Sequence, residues 1–395
     1  MLTGKRILIG IGGGIAVYRV AELARLLMKQ GAEVRCVMTK AAQQFVTPLT
    51  FEALTGEAVH SELFDLTAER TMGHIALARW ADVLLLAPAT ANLLAKHAYG
   101  IADDLLTTLL QVREGPVLAA PAMNVSMWRS PATQANVAIL RERGVSFIGP
   151  VAGALACGEE GEGRLAEPEA IVAALLPLVS EQKLAGQRWV INAGPTREGW
   201  DDVRVLSNRA SGRLGVCLAE AAAAMGARVT LVAGPGTPAS LAGFERVDVE
   251  TAHEMQAACE SLAKNADVFV ATAAVSDYRF AAPVEGKIKR EGRETLQAEF
   301  AANPDIVAGI AAMPERPRKV IAFAAERSDH VAHARDKLAR KKVDAVVAND
   351  ASRMGAATGS GWWVTVDKVV ELPEADKAIF AQSLIEQIQA MGWKA

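Results

Sequence analysis

The chain has 395 residues, too many for one ordinary hydrophobic core and enough for two domains of roughly 180 to 210 residues each. Hydrophobic residues make up 51% of it, which fills two cores and excludes a wholly disordered chain. Lys and Arg number 42 against 45 Asp and Glu, a net charge of −3, and no basic block argues for a nucleic-acid partner.

No apolar run approaches the ~20 residues that a membrane span needs. Lys5 and Arg6 precede an apolar run that breaks at glycines, which reads as a strand and not a signal peptide. The cysteines, Cys36, Cys157, Cys217 and Cys259, show no metal-type spacing, which suits a reducing cytoplasm.

Arg6–Gly10 is the first predicted strand, followed by Gly12, Gly13 and Gly14 and a helix over Ile15–Gln30. Val17, Val20, Ala21, Ala24, Leu27 and Met28 recur at helical spacing and put one apolar stripe on a sheet. The glycines let backbone N–H groups approach an anion at a helix start, or simply make a tight turn. A dinucleotide fingerprint fails, because Gly10 and Gly12 are followed by Ile15 where the third glycine belongs. Glu33–Met38 returns as a strand. Val83–Ala87 and Val117–Ala120 are short apolar strands, ended by Pro88 to Asn92 and by Pro121-Ala122-Met123-Asn124. Loops at the carboxyl ends of such strands line one crevice in doubly wound sheets, here fit for a flavin or nucleotide. His74 lies just before a helix leading to Trp80, where a histidine is more often a surface or capping residue than a base. Cys157 sits in the glycine-rich stretch Ala154 to Arg164, long enough for a mobile flap; a cysteine there is either reactive or a small hydrophobe.

An apolar helix pattern over Ile171–Leu176 ends with the help of Pro177, and Arg188–Ala193 starts a second strand, turn and helix series. The expected organisation is therefore a domain over 1–180, a linker over 181–187 and a domain over 188–395. The fold class is α/β, two doubly wound, Rossmann-like parallel-sheet domains in tandem. In the second, a loop rich in Thr196, Arg197, Arg204, Asn208, Arg209 and Arg213 has the chemistry of an anion cradle. A helix over Leu214–Met225 and a strand over Arg228–Gly234 come next. Val268–Ala273 is a strand, and Asp277 beyond it is either a ribose or metal partner or a cap. Lys287 and Lys289 share one face of an extended segment, as in any solvated edge strand. Asn303 caps a helix with Pro304 behind it. Strands over Lys319–Ala324 and Asp344–Ala348 flank a helix whose Lys337 and Lys341 project from one face.

Gly12-Gly13-Gly14-Ile15-Ala16-Val17-Tyr18, Gly73-His74-Ile75, Pro121-Ala122-Met123-Asn124 and Ala156-Cys157-Gly158 occur in the order seen in flavin-dependent phosphopantothenoylcysteine decarboxylases. Nearly the whole chain resembles the bacterial bifunctional family in which that decarboxylase is fused to phosphopantothenate–cysteine ligase. The resemblance implies a flavodoxin-like, flavin-binding first domain in which FMN oxidises the substrate thiol so that carbon dioxide can leave. It implies Cys157 as proton donor on the flap, His74 as base and Asn124 as the amide holding the substrate. Gly12, Gly13, Gly14, Thr39 and Thr90 would lie near FMN. Gly12 stands where the family usually has serine, which removes one hydroxyl contact to the flavin phosphate.

The ligase half of the family matches at Ala193 to Glu198, Ser207-Asn208, Ala273 to Tyr278, Lys287-Ile288-Lys289, Asn303 to Val307, Phe323 to Glu326 and Ala348-Asn349-Asp350. The resemblance implies activation of 4′-phosphopantothenate by CTP with Mg²⁺ as an acyl-cytidylate, which cysteine then attacks. Lys287 would stabilise the triphosphate charge and Asn208 would serve the second step. Ala271, Thr272, Ala273, Asp277, Asn303, Pro304, Asp305, Ile306, Phe323, Lys337 and Lys341 would contact the nucleotide, with the metal near Asp277. Arg213 stands where lysine is usual, and Met354 to Trp362 lacks the usual Phe-x-Ser-Asp-x-Asn pattern. The family further implies a homo-dodecamer, with decarboxylase trimers forming the flavin site between subunits and ligase halves paired as dimers. Two rival readings are a flavodoxin-like regulatory protein that keeps FMN without catalysis and a tandem NAD-dependent oxidoreductase. The first fits poorly with the presence of His74, Asn124 and Cys157, the second with the failed glycine fingerprint.

Overall fold

The computed structural model describes residues 2–63, 73–154, 160–240, 242–289, 294–353 and 355–392. Contacts divide the chain into two units, Met1–Ser180 and Glu181–Ala395. Residues 181–187, expected as a linker, are grouped with the second unit: Leu184 is buried in its core and its N–H donates to Met225 O.

The first unit is built on five parallel strands, β1 (Arg6–Ile11), β2 (Glu33–Met38), β3 (Val83–Ala89), β4 (Val117–Pro121) and β5 (Ser146–Phe147), in the order β2-β1-β3-β4-β5. That order is flavodoxin-like, with its switch point between β1 and β3. β3 and β4 are buried along their whole length, because helices cover both faces of the sheet. Ile7 and Ile9 meet Val20, Leu23, Leu27 and Leu175 from helices Val17–Lys29 and Pro168–Val179. Leu8, Leu84 and Leu86 face the opposite way, onto Leu94, Leu106, Leu109 and Val137. Pro177 lies inside its helix, which runs two residues further to the buried Val179. Two further strands, β6 (Val151–Ala154) and β7 (Glu160–Arg164), pair antiparallel on either side of the segment carrying Cys157, and Cys157 itself lies outside the described residues.

The second unit has an eight-stranded sheet made of β8 (Arg188–Ala193), β11 (Arg228–Ala233), β12 (Glu245–Asp248), β13 (Val268–Ala271), β16 (Lys319–Glu326), β17 (Ala345–Asp350), β18 (Thr358–Val364) and β19 (Val369–Asp376). Two small antiparallel pairs stand apart from it, β9 (Arg197–Gly199) with β10 (Val205–Ser207), and β14 (Tyr278–Phe280) with β15 (Phe300–Ala302). The sheet runs β12-β11-β8-β13-β16-β17-β18-β19. Its first six strands are parallel and, counted from β8, have the Rossmann order 3-2-1-4-5-6. The last two are antiparallel additions that the sequence patterning did not announce.

One face of this sheet packs Ile191, Leu231 and Val270 on Leu218 and Ala222 of helix Arg213–Ala224 and on Leu384 and Ile388 of helix Lys377–Ala390. The other packs Val190, Val232 and Phe269 on Met255 and Cys259 of helix Ala252–Ala263 and on Ile310 and Leu338. The helix expected to start at Asn303 runs Ile306–Ala311, and its cap is Asp305, which accepts from Ala308 N–H. Lys287 and Lys289 lie in a loop and not in an extended strand. Among the described residues no helix is long and apolar enough to cross a membrane.

Candidate functional site

Each unit opens a cavity at the carboxyl ends of its strands, beside its own switch point. In the first unit it holds about 830 Å³ and is bordered by Gly12, Gly13, Gly14, Thr39, Thr90 and Asn124. β1 delivers the glycines and β3 delivers Thr90, which caps helix Ala91–Tyr99 by accepting Leu93 N–H at 3.2 Å. Thr39, after β2, donates to Ile11 O and accepts from Ala42 N–H, both at 3.2 Å, so its hydroxyl ties two strand ends together. The sequence requires glycine here for space: a Cβ on Gly13 would come within 2.3 Å of Ala41 Cβ, and one on Gly12 within 2.4 Å of Pro88 O. The serine usual in the family at position 12 therefore does not fit this backbone unshifted. Gly14 borders open space, its nearest neighbour being Thr90 Cγ2 at 3.9 Å. The first turn of a helix carries backbone N–H groups without intrahelical acceptors, and residues 12–16 bring that turn of helix Val17–Lys29 to the cavity wall. A phosphate-bearing, planar cofactor is the ligand such a cradle fits.

Asn124 caps helix Val125–Arg129, accepting Ser126 N–H at 2.8 Å, which fixes its carboxamide on the wall. Met123 N–H donates to Gly163 O at 2.9 Å, so β7 is tied to the loop carrying Asn124. His74 opens helix His74–Trp80 and is not among the residues bordering this cavity. Sequence reasoning overlooked Arg19 and Arg164. Both line the cavity and both bind Glu167, at 2.5 and 2.9 Å, whose carboxyl is held below its usual range first by the Arg19 bond. Burial pushes the Cys36 and Cys259 thiols up to about 12 and that of Cys217 to about 11, so none of these is a thiolate at neutral pH.

The second cavity holds about 620 Å³ and gathers nearly every nucleotide residue expected there: Ala271, Thr272, Ala273, Asp277, Asn303, Pro304, Asp305, Ile306, Phe323, Lys337 and Lys341, together with Asn208. Asn192 on β8 organises the loop after β13, its Oδ1 accepting Ala273 N–H at 3.0 Å and its backbone O accepting Thr272 Oγ1. Asn208 Nδ2 donates to Ala274 O at 2.9 Å, and Asn303 N–H donates to Asp277 O at 2.8 Å. Lys341 Nζ lies 2.9 Å from Asp305, and Lys337 Nζ donates to Phe323 O at 2.5 Å. Burial, then the charge of Lys341, pulls the Lys337 ammonium below the ordinary lysine range. Burial raises Asp305, but the Lys341 bond and the Ala308 N–H outweigh it and hold that carboxyl low.

Lys287 is exposed and does not border the cavity. Its loop is held by backbone bonds, Gly286 N–H to Asp202 and Ile288 N–H to Asp201. Among the described residues no group of three or more His, Cys, Asp or Glu could hold a metal. Arg213, Arg353, Thr358, Ser360 and Lys377 also line the cavity. Arg353 stands in a 3₁₀ turn after β17, Thr358 and Ser360 on β18 and Lys377 at the start of the closing helix, so the departing stretch reaches the cavity wall at Gly355 and 358–360.

Residues 1–180 match the family described as Flavoprotein, and residues 184–391 match that described as DNA/pantothenate metabolism flavoprotein C-terminal domain. The "Coenzyme A biosynthesis bifunctional protein CoaBC" of Vibrio vulnificus is 44% identical over 99% of this chain and 98% of its own length. That of Escherichia coli K12 is 42% identical over 98% and 97%. A crystal structure of the C-terminal domain of such a protein is 34% identical, covering 53% of this chain and 96% of its own, with a TM-score of 0.45. With identity of this order running from one end of the sequence to the other and both domain families in register, the chain belongs to the coenzyme A biosynthesis bifunctional protein family.

Proposed function

We infer that the chain performs two consecutive reactions of coenzyme A biosynthesis in the cytoplasm. The second unit joins cysteine to 4′-phosphopantothenate, and the first decarboxylates the resulting 4′-phosphopantothenoylcysteine to 4′-phosphopantetheine. The observation that carries this reading is that Gly12, Gly13, Gly14, Thr39, Thr90 and Asn124 in one half, and the expected nucleotide residues with Asn208 in the other, border a cavity beside their own sheet's switch point.

In the second unit, the substrate carboxylate attacks the α-phosphorus of CTP and pyrophosphate leaves. The cysteine amine then attacks the acyl carbon and expels CMP. Lys337, Lys341 and Arg213 supply positive charge for the phosphates, and Asn208 steadies the acyl group through a carboxamide anchored on Ala274 O. Mg²⁺ enters with the triphosphate, consistent with its habit of taking few protein ligands. Lys287 reaches the phosphates from its loop or across a ligase dimer.

In the first unit, residues 12–14, Thr39 and Thr90 hold FMN, which when bound supplies the electron acceptor and donor that thiol oxidation and later reduction require. Asn124 orients the substrate carboxylate so that carbon dioxide departs with its bond aligned. His74 acts as base and Cys157 returns a proton. Since His74 does not border its own chain's cavity, we assign it to that of a neighbouring subunit in a decarboxylase trimer, within a dodecamer.

Supplying 4′-phosphopantothenate, cysteine, CTP and Mg²⁺ to the FMN-loaded protein yields carbon dioxide, pyrophosphate, CMP and 4′-phosphopantetheine. Absence of both pyrophosphate and carbon dioxide rejects the reading. Cys157→Ser still releases carbon dioxide but leaves an oxidised product; a full yield of 4′-phosphopantetheine from it removes Cys157 from the mechanism.

A further inference from the structure

Ser276 lies just beyond β13 and lines the second cavity. It is 5% exposed, and its Oγ is buried with no hydrogen-bond partner among the described residues. The backbone on either side is clamped: Ser276 N–H donates to Thr196 Oγ1 at 3.1 Å, and Ser276 O accepts from Asn303 Nδ2 at 2.9 Å. Rotation about Cα–Cβ is the freedom left to the side chain of this cavity-lining residue. A buried hydroxyl without a partner disfavours the folded state, and an alanine of nearly the same size would avoid that cost. Its presence beside a ligand cavity calls for a partner that arrives with the ligand.

The neighbouring group narrows the chemistry. Asp277 places a carboxylate next in sequence, at the carboxyl end of the strand flanking the switch point. A carboxylate repels phosphate and accepts from sugar hydroxyls, so the ribose is the part of a nucleotide that suits Asp277. A serine hydroxyl both donates and accepts, so it complements the carboxylate on a vicinal diol. We propose that Ser276 Oγ hydrogen-bonds a ribose hydroxyl of the bound nucleotide and makes the ligase cavity selective for ribonucleotides over their deoxy forms. This rests on the reading of that cavity as a nucleotide site.

The test uses the full chain and calorimetric titration with CTP, 2′-deoxyCTP and 3′-deoxyCTP. Wild-type protein binds one deoxy analogue roughly tenfold more weakly than CTP, the loss expected when a buried polar group stays unpaired. In Ser276→Ala, CTP binding weakens and the ratio between CTP and that analogue falls within about twofold. The ligand-free variant melts at the wild-type temperature or above it, because the hydroxyl removed has no protein partner. A ratio as large in Ser276→Ala as in wild type overturns the assignment of Ser276 while leaving the nucleotide site standing. A variant that melts several degrees lower, or fails to fold, overturns it in favour of a structural role. If CTP, ATP, GTP and UTP all fail to bind wild-type protein, the nucleotide reading and this assignment fall together.

Discussion

Gly13 and Gly14 are neighbours of identical chemistry whose surroundings make opposite demands. A methyl at position 13 runs into Ala41 and its backbone, whereas one at position 14 meets only Thr90 Cγ2 at ordinary contact distance. Gly13→Ala is therefore expected to destabilise the first unit by about 1–3 kcal/mol with or without flavin, as overpacking does. Gly14→Ala keeps the flavin-free melting temperature but lowers the flavin retained per chain, because its methyl enters the cavity. Melting curves and flavin absorbance of purified protein separate the two; equal melting temperatures for both variants would show the Ala41 contact to be unimportant. Lys337 makes a second residue-level prediction. Its lowered pKa means that it sheds its proton at a lower pH than a free lysine, so nucleotide affinity falls as pH rises through that value, short of the ~10.4 of an unperturbed lysine. Ligand-free stability moves the other way: burying the ammonium costs stability below the lowered pKa, and the cost fades as pH climbs towards the unfolded value. Lys337→Arg keeps its charge and should flatten the alkaline limb of a titration of affinity against pH; an unchanged limb would clear Lys337 of phosphate binding. Glycines and Asn124 could be read from the sequence because each sits at the end of an apolar run, and the lysine pair because its i,i+4 spacing puts both on one helix face. Lys377 could not, because the closing helix brings it to the cavity from far along the chain, and Arg353 could not, because it stands in the short 3₁₀ turn Ala351–Arg353 outside any apolar run.

Apolar runs with both faces covered give strong strand signals, and β1, β2, β3, β4, β8, β11, β13, β16 and β17 all fall where such runs stand, within two residues at the ends. β18 and β19 escape this logic. β19 is exposed at most positions, and β18 carries Gly359 and Gly361, which read as loop. In the structure these glycines mark a register shift and close contacts: a Cβ on Gly359 would lie 2.7 Å from Phe380 Cδ1, and one on Gly361 2.1 Å from Ala348 O. The helix Arg213–Ala224 depends on a similar closeness, since a Cβ on Gly215 would lie 2.5 Å from both Ala193 Cβ and Thr272 Oγ1. Gly215 thus does for the second unit what a third fingerprint glycine does in helix-to-sheet packing. Gly215→Ala should push the helix off β8 and displace its first turn, which borders the cavity. We expect a loss of about 1–3 kcal/mol, together with weaker CTP binding and no change in flavin content. Unaltered melting and unaltered CTP affinity would mean that the helix yields at no cost.

At the scale of the whole chain, the second beginning of the strand–turn–helix order is visible in the sequence at Arg188, but the place where the second core begins is not. Leu184 lies in an otherwise polar stretch, and only its burial, with Gln182 Nε2 donating to Ala224 O, shows that 181–187 folds with the second unit. Each unit has cores on both faces of its own sheet, so each has the means to unfold cooperatively by itself. Ligand linkage then distinguishes them. A ligand at a hundred times its dissociation constant stabilises the unit that binds it by about 2.7 kcal/mol and leaves a unit that does not bind it unmoved. Calorimetry of the full chain should resolve two transitions. FMN should raise one by roughly 5 to 10 °C and CTP with Mg²⁺ the other by a similar amount, for units of about 200 residues. Gly13→Ala lowers the flavin-linked transition alone and Gly215→Ala the nucleotide-linked one alone. A single transition that both ligands raise and both substitutions lower would mean that the two halves fold as one cooperative body.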